Sequence, residues 1–433
     1  MLSRRFDRMI KQVLVAWLAV FISATSALSD IYVAPRAASP SQSPDGSEAN
    51  PYATLKAAIQ ARGNRDVPII LMDGRHDDIK LFGKYAPPLE IRSQTPAGAH
   101  TRLIRIEAPG THVSGLGVWP ETPLKKPYDL VTSKADDVVF DGLDMRGNAT
   151  AMEDYFRWSK QDWLARWRVN GAKLRGRNVV FKNNTITGVA FGIQTFDSRA
   201  RVLNNRVSGF SGDGLRGLGD DKVFAGNYVE NCFDVDKNHD DGFQSWARNK
   251  NVNGMPILKN LLLDSNVIIE WNGPANHPLH CTLQGIGLFD GRFENVTVQN
   301  NLVVVNHYHG ITLTDAFDSK IVNNTVTYLP GPIQPHPWIK LGTKRDDPEA
   351  YKHVLIANNA AMSYGKRQDV LRQNVVTKYV FKHYQDPSNF NYQPKSDSPL
   401  IGAGFAEFAP QTDILGRSRP SAGRVTAGAF EVQ

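Results

Sequence analysis

The chain is 433 residues long, 41% apolar and 21% charged, with two cysteines and a formal net charge of +7. Length alone admits two or three average domains or one repeat architecture of the same size. With the four basic residues and one acidic residue of positions 1–29 set aside, the charge falls to about +4. That is a mild attraction to polyanions, and it does not indicate nucleic acid.

Arg4, Arg5, Arg8 and Lys11 precede an apolar run from Val13 to Ile22 that is too short to span a bilayer comfortably. Small residues Ala24, Ser26, Ala27 and Ser29 follow as cleavage sites. This pattern predicts a secretory signal over residues 1–29 and a periplasmic or secreted mature chain with no membrane contact. Ile31 to Pro35 reads as a strand, Pro51 to Leu55 as the opening of a short helix that runs through Ala61, and Val67 to Met72 as a buried strand stopped by Asp73-Gly74. A short helix before such a strand suits the capping plug of a solenoid.

From Val138 onward a unit repeats: a β-rich run, an Asn corner, a second β-rich pair, and a strand marked by glycine. The Asn positions are Asn184, Asn205, Asn227, Asn266, Asn301, Asn324 and Asn359, spaced by 21, 22, 39, 35, 23 and 35 residues. The short spacings give the period, and the long ones are that period plus a loop. Three short β runs in about 22 residues make one coil of a parallel β-helix, which buries its apolar side chains only by stacking on its neighbours. Asn at a corner tolerates left-handed backbone geometry and passes amide hydrogen bonds from coil to coil. The prediction is a single all-β domain over residues 30–433. It comprises an N-terminal cap with first coils (30–135), repeat coils (136–365) and a C-terminal coil with cap (366–433).

The repeats at 178–187, 221–229, 295–304 and 320–328 resemble those of right-handed parallel β-helix proteins of the pectate-lyase-like superfamily. The ending, Asp397-Ser398-Pro399-Leu400-Ile401-Gly402 with Thr412 to Arg417 and Gly428 to Glu431, is similar to the C-terminal cap of many secreted polysaccharide enzymes of that fold. The resemblance covers nearly all of the mature chain. It implies a right-handed coil and carbohydrate chemistry, and it specifies fold far better than reaction.

Alternation of side chains along a strand sends Ile193, Leu215, Phe243, Leu288 and Ile311 inward. Gln194, Arg216, Gln244, Phe289 and Thr312 then form an outward ladder, with Phe196 and Trp246 two residues past Gln194 and Gln244. Amides for hydroxyls, an aromatic face for a sugar ring and Arg for a carboxylate suit an acidic sugar chain, against the plain reading of a solvated polar face. Asp213 and Asp241 each precede the glycine of neighbouring coils, so the two carboxylates are expected one rung apart beside Arg216. Two Asp-Gly turns are the structural alternative.

The densest cluster of ionisable groups runs from Asp234 to Trp246. Asp234, Asp236, Asn238 and Asp240 alternate like the first half of a calcium loop. His239 stands where that loop needs glycine and Ser245 where it needs glutamate, so an EF-hand is excluded. A looser Ca2+ site, helped by Asp220 or Asp221, competes with a solvated acidic loop. His239 lies beside the Asp pair as a candidate base. His309 occupies the position equivalent to Asp213 and Asp241 but two coils beyond Asp241, about 10 Å away, where it meets substrate rather than the reacting bond. His277 and His280 are as consistent with ordinary loop positions as with site walls. The segment from Glu153 to Arg168, with Trp158, Trp163 and Trp167, reads first as an amphipathic helix packed on the coil and second as a basic groove wall. Cys232 and Cys281 fit either a disulfide or two small apolar residues stacked in the core.

These residues lead to a monomeric enzyme that cleaves an acidic polysaccharide by β-elimination. Arg216 or His239 is the base, Asp213, Asp240 and Asp241 hold a metal or orient the cation, and Gln194, Lys237, Gln244, Trp246 and His309 bind sugars. The alternatives are an inverting hydrolase similar to polygalacturonases, a uronan C5-epimerase, and a non-catalytic polysaccharide-binding β-helix.

Overall fold

The computed structural model describes residues 29–36, 38, 43–248, 256–331, 335–342 and 351–432. Apart from Ser29, the predicted signal segment lies outside the described residues. Each coil donates one short strand to each of three parallel sheets, of 14, 11 and 12 strands. Every pairing between coils is parallel, as in Phe140↔Phe181, Ile193↔Leu215 and Val207↔Val229.

Three inward columns form the core. In the 14-stranded sheet Phe140, Phe181, Val202, Phe224, Leu263, Val298 and Ile321 stack in register. Met145, Ile186, Val207, Val229, Ile268, Val303 and Val326 do so in the 12-stranded sheet. Ala172, Ile193, Leu215, Phe243, Ile286, Ile311 and Ile339 complete the set in the 11-stranded sheet. All are buried. Because the side-chain period is two, a one-residue slip would turn a whole column to solvent, so the apolar pattern enforces the register.

The corner between the 14- and 12-stranded sheets carries the Asn ladder. Asn183, Asn204, Asn300, Asn323 and Asn358 adopt left-handed φ values of 53–57° and are each followed by a buried Asn. The Nδ2 group of each buried Asn donates to Oδ1 of the next, from Asn184 through 205, 227, 266, 301, 324 and 359, at 2.8–3.0 Å. The ladder gains one rung beyond the sequence reading, Asn374 at 2.9 Å.

Both ends are closed. At the N-terminus, helix Leu55–Arg62 is capped by Thr54 Oγ1, which accepts from Ala57 N. Its buried Arg62 donates to the carbonyls of Val67, Pro87 and Pro88 at 2.9–3.1 Å. The C-terminal segment does more than cap the last coil. It lies along the outside of the Asn corner, where Asn300 donates to Thr412 O and Asn323 to Thr426 O. The buried Arg419–Glu431 ion pair anchors it at 2.7 Å.

Asn266 accepts from Asn227 N and Nδ2 and donates to Phe224 O and Asn301 Oδ1. Asn266→Ala strands these buried groups and is expected to destabilise the domain by about 3 kcal/mol, read from the shift in a denaturant unfolding midpoint.

Candidate functional site

The corner that leads into the 11-stranded sheet is built on glycine. Gly171, Gly192, Gly214, Gly242, Gly285 and Gly310 stack through six coils, and a Cβ at Gly192 would lie 2.2 Å from the carbonyl oxygen of Gly214. Close coil-to-coil approach therefore demands glycine here. The residue before each glycine forms the adjoining column: Asn170, Phe191, Asp213, Asp241, Gln284 and His309. Asp213 and Asp241 are thus one rung apart, and His309 is two rungs past Asp241, as the repeat implied.

Asp213 is 1% exposed, and its Oδ2 accepts from Arg216 Nε at 2.7 Å and Nη2 at 2.5 Å. The guanidinium lies 4.7 Å from the Phe191 ring and 5.0 Å from the Trp246 ring, with Nη1 3.4 Å from Gln194 Oε1. The ion pair to Asp213 and the two aromatic rings fix the position of the guanidinium. Asp241 is fully buried, and its Oδ2 meets His239 Nδ1 at 3.2 Å and accepts from Gln244 Nε2 at 2.9 Å. Oδ1 of each Asp is buried and has no partner among the described residues. Gln194 and Gln244 lie on the outward row but are themselves buried, spent on Arg216 and Asp241 rather than offered freely to sugar hydroxyls.

Burial pushes both Asp213 and Asp241 upward, and each raises the pair's cost of double ionisation. Arg216 pulls Asp213 back, and His239 pulls Asp241 back. The hydrogen bond to Asp241 lifts the exposed His239 ring. Asp240 is pushed up to about 8 by burial. Its Oδ1 accepts from Asn238 Nδ2 at 3.1 Å, and its Oδ2 lies 3.4 Å from the Cys232 sulfur. Cys232 and Cys281 form a disulfide.

The outward row differs from the expected ladder by one member. Gln244 pairs with Gly287, and Phe243 with Ile286, so Gly287 rather than Phe289 holds that rung. Phe289 lies two residues on, and its ring folds back over Gly287. A Cβ at Gly287 would meet that ring at 2.3 Å and Asp241 Oδ1 at 2.9 Å. A cleft of about 310 Å3 opens here, lined by His239, Gln244, Trp246, Gln284, Phe289 and Asp290 among others. Gln284 and Phe191 were not singled out in the sequence. Their signal was available, since each precedes a glycine of the column as Asp213 and Asp241 do.

Loops inserted between the 12- and 11-stranded sheets pack against one another at this corner. Residues 151–166 form a short helix, a 3-10 turn and a π turn, in place of the single amphipathic helix read from the tryptophan spacing. Trp158 and Trp163 are buried against Phe233 and Trp271. His277 pairs with Phe156 O at 2.8 Å, and His280 with the buried Glu270 at 3.0 Å, so both are loop anchors.

The alternating acidic set does not fit calcium as arranged. Asp234, Asp236, Lys237 and Asn238 are exposed while Val235 and Asp240 are buried, so the side chains diverge. Asp236 accepts from Asn238 N and faces Arg168. Among the described residues, the sole group of three His, Cys, Asp or Glu ligand atoms gathered closely enough for a metal is Cys232, Asp240 and Cys281, and its two sulfurs are bonded to each other.

Residues 164–326 match the model of the right handed beta helix region. No curated protein sequence matches the chain. Among solved structures, the chain is similar to the pectate lyase Pel9A at 15% identity and a TM-score of 0.43, covering 93% of this chain and 96% of that one. It is also similar to the A-module of the mannuronan C-5 epimerase AlgE6 of Azotobacter vinelandii, at 12% identity and a TM-score of 0.40, covering 75% and 90%. A mannuronic acid specific polysaccharide family 6 lyase from human gut microbiota gives 13% and 0.39, covering 74% and 89%. The matched segment and the three parallel sheets give the chain the fold of a right-handed parallel β-helix.

Proposed function

We propose that the protein cleaves an acidic, uronate-containing polysaccharide by β-elimination, with the polymer lying along the outward row of the 11-stranded sheet. The observation that carries this reading is the Asp213–Asp241 pair: two buried carboxyls on adjacent rungs, each with one unpartnered oxygen, flanked by a clamped guanidinium. Adjacent strands are about 4.8 Å apart. An inverting hydrolase separates its two carboxyls by roughly 6.5–9.5 Å to admit a water on the far side of the sugar. Two groups this close on one face suit proton removal and delivery on the same side of the chain.

In this reaction Arg216 takes the uronate carboxylate, which lowers the cost of carbanion character at C5. Asp241, supported by Gln244 and His239, removes the C5 proton. Asp213, protonated by burial once Arg216 has turned to the substrate carboxylate, delivers a proton to the departing glycosidic oxygen. The electron pair of the broken C–H bond forms the C4–C5 double bond as the C4–O bond breaks. Lys173 and Lys340 extend the same outward row to either side and suit a polyanion. A periplasmic or secreted location belongs to this proposal, and no helix among the described residues is long and apolar enough to cross a membrane.

One observation favours hydrolysis as a second reading: Asp240 keeps its proton to about 8 and could serve as a general acid. Products separate the readings. Elimination yields an ultraviolet-absorbing unsaturated uronate, hydrolysis yields reducing ends alone, and epimerisation exchanges the C5 hydrogen without cleavage.

Asp241→Asn preserves shape and removes the base. Turnover on a panel of uronate polymers is expected to fall at least ~100-fold with no loss in melting temperature, because a buried charge is removed as well. Near-normal turnover in this variant would remove Asp241 from the chemistry.

Asp240 gives a stability test. Its folded value of about 8 lies above the ordinary 3.8, so the folded state holds a proton that the unfolded chain releases. That contribution is complete below the ordinary value and is lost as pH rises through the folded one. The wild type should therefore lose stability between about pH 4 and about pH 8, and Asp240→Asn should flatten that decline in denaturant titrations.

A further inference from the structure

Two rungs past Asp241 the chain places His307, Tyr308 and His309 before Gly310, with Trp338 on the following coil. The rings of His307 and His309 stack at 5.3 Å and 17°. Hydrogen-bond bookkeeping at this cluster determines where the imidazole protons sit. The backbone N–H of His309 donates to Nδ1 of His307 at 3.0 Å. Only an unprotonated ring nitrogen accepts, so His307 carries its proton on Nε2.

Nδ1 of His309 lies 2.8 Å from Thr312 Oγ1, and the same oxygen accepts from the Trp338 indole Nε1 at 3.1 Å. An indole nitrogen can only donate, and a threonine hydroxyl has one proton. Thr312 is 3% exposed, and His309 Nδ1 is the acceptor within its reach. Were His309 Nδ1 protonated instead, the buried hydroxyl proton would have no acceptor. The Trp338 N–H therefore orients the Thr312 hydroxyl, and the hydroxyl leaves His309 as the Nε2–H tautomer.

We propose that His307 and His309 are a pair of neutral Nε2–H donors, with tautomers set by the His309 backbone and by the Trp338–Thr312 relay, that bind uncharged acceptor oxygens of the saccharide beyond the Asp pair. This rests on the reading of the face as a sugar-binding groove. Thr312 and Trp338 are positioning residues in it. The surroundings agree: burial lowers both imidazoles, His309 to about 4, with the charge of His239 adding to it at His307 and those of His307 and Lys340 at His309, and Phe289 stands edge-on to His309 at 5.4 Å. A neutral donor selects hydroxyl or ring oxygens by geometry without attracting a carboxylate, so the acidic group is left to Arg216, three rungs away or roughly 14 Å.

The test is a long-range proton–nitrogen correlation spectrum of the full-length protein labelled with 15N-histidine, assigned with His307→Gln and His309→Gln. Both residues should show an unprotonated Nδ1 and a protonated Nε2 at neutral and at mildly acidic pH. In Thr312→Val the two nitrogen signals of His309 should move toward each other as the tautomers exchange, while those of His307 stay. Trp338→Phe, which frees the hydroxyl, gives the same reading should Thr312→Val fail to fold. On a cleaved uronate polymer, Thr312→Val should raise KM roughly tenfold with kcat within about twofold. A protonated Nδ1 in wild-type His309 overturns the tautomer assignment, and unchanged KM with altered tautomers overturns the donor role. If no uronate polymer is cleaved, the proposed reaction falls while the tautomers are still read. Titration with neutral oligosaccharides then decides the donor role, with no heat of binding counting against it.

Discussion

Every position of the candidate site depends on the register between coils, and a buried amide ladder holds that register at one corner. An Asn side chain accepts and donates along the solenoid axis at the same repeat as the backbone, so each rung completes the hydrogen bonding of its neighbours. A missing or shifted rung leaves buried donors without acceptors. Extra residues must therefore enter elsewhere, and they do. The segments 147–168, 233–240 and 270–283 all enter at the opposite corner, ahead of strands in the 11-stranded sheet. The Asn corner on one side thus leaves these three loops to the other, and His239 of the second lines the cleft.

The glycine column makes that second corner usable. With no side chain in the column, neighbouring coils approach closely and the preceding residue is left beside the groove. The same closeness buries the carboxyls of Asp213 and Asp241 and leaves one oxygen of each without a partner. Such groups are costly to a fold, and a solenoid with three continuous apolar columns tolerates them because their cost is local while the stacking is shared by every coil.

How much of this could be read from sequence depended on whether the signal was periodic. The Asn corner, the inward columns and the alignment of Asp213, Asp241 and His309 were legible because each repeats with the coil. The phase at residues 285–289 was not, since Gly285-Ile286 and Gly287-Leu288 present the same pattern two residues apart and a period of two cannot separate them. The acidic loop misled for a related reason. Alternation at Asp234, Asp236, Asn238 and Asp240 implies one face only if the backbone is regular, and here Asp234 and Asp236 point to solvent while Asp240 is buried. The tryptophan spacing of 158–167 likewise suggested one helix, whereas packing against Phe233 and Trp271 produced a 3-10 turn and a π turn. Pairing of Cys232 with Cys281 was open because 49 residues separate them in sequence, and only the stacking of coils brings them together.

The arrangement around Arg216 links binding to proton position. Its guanidinium is shared between Asp213 and the open groove, with Phe191 and Trp246 closing its two faces. Under the proposed reaction, a uronate carboxylate arriving from the groove competes with Asp213 for that one cation. As the guanidinium turns to substrate, Asp213 loses the partner that stabilises its charge, and burial then favours its protonated form. The arriving substrate carboxylate thereby lets Asp213 take up a proton from solvent, forming the acid that the leaving oxygen requires one rung from Asp241. A neutral sugar at the same place would leave the Arg216–Asp213 pair intact and the acid unformed. Preference for acidic polymers would then arise in the proton-transfer step as well as in binding, and it would require no group beyond those that the register already sets side by side.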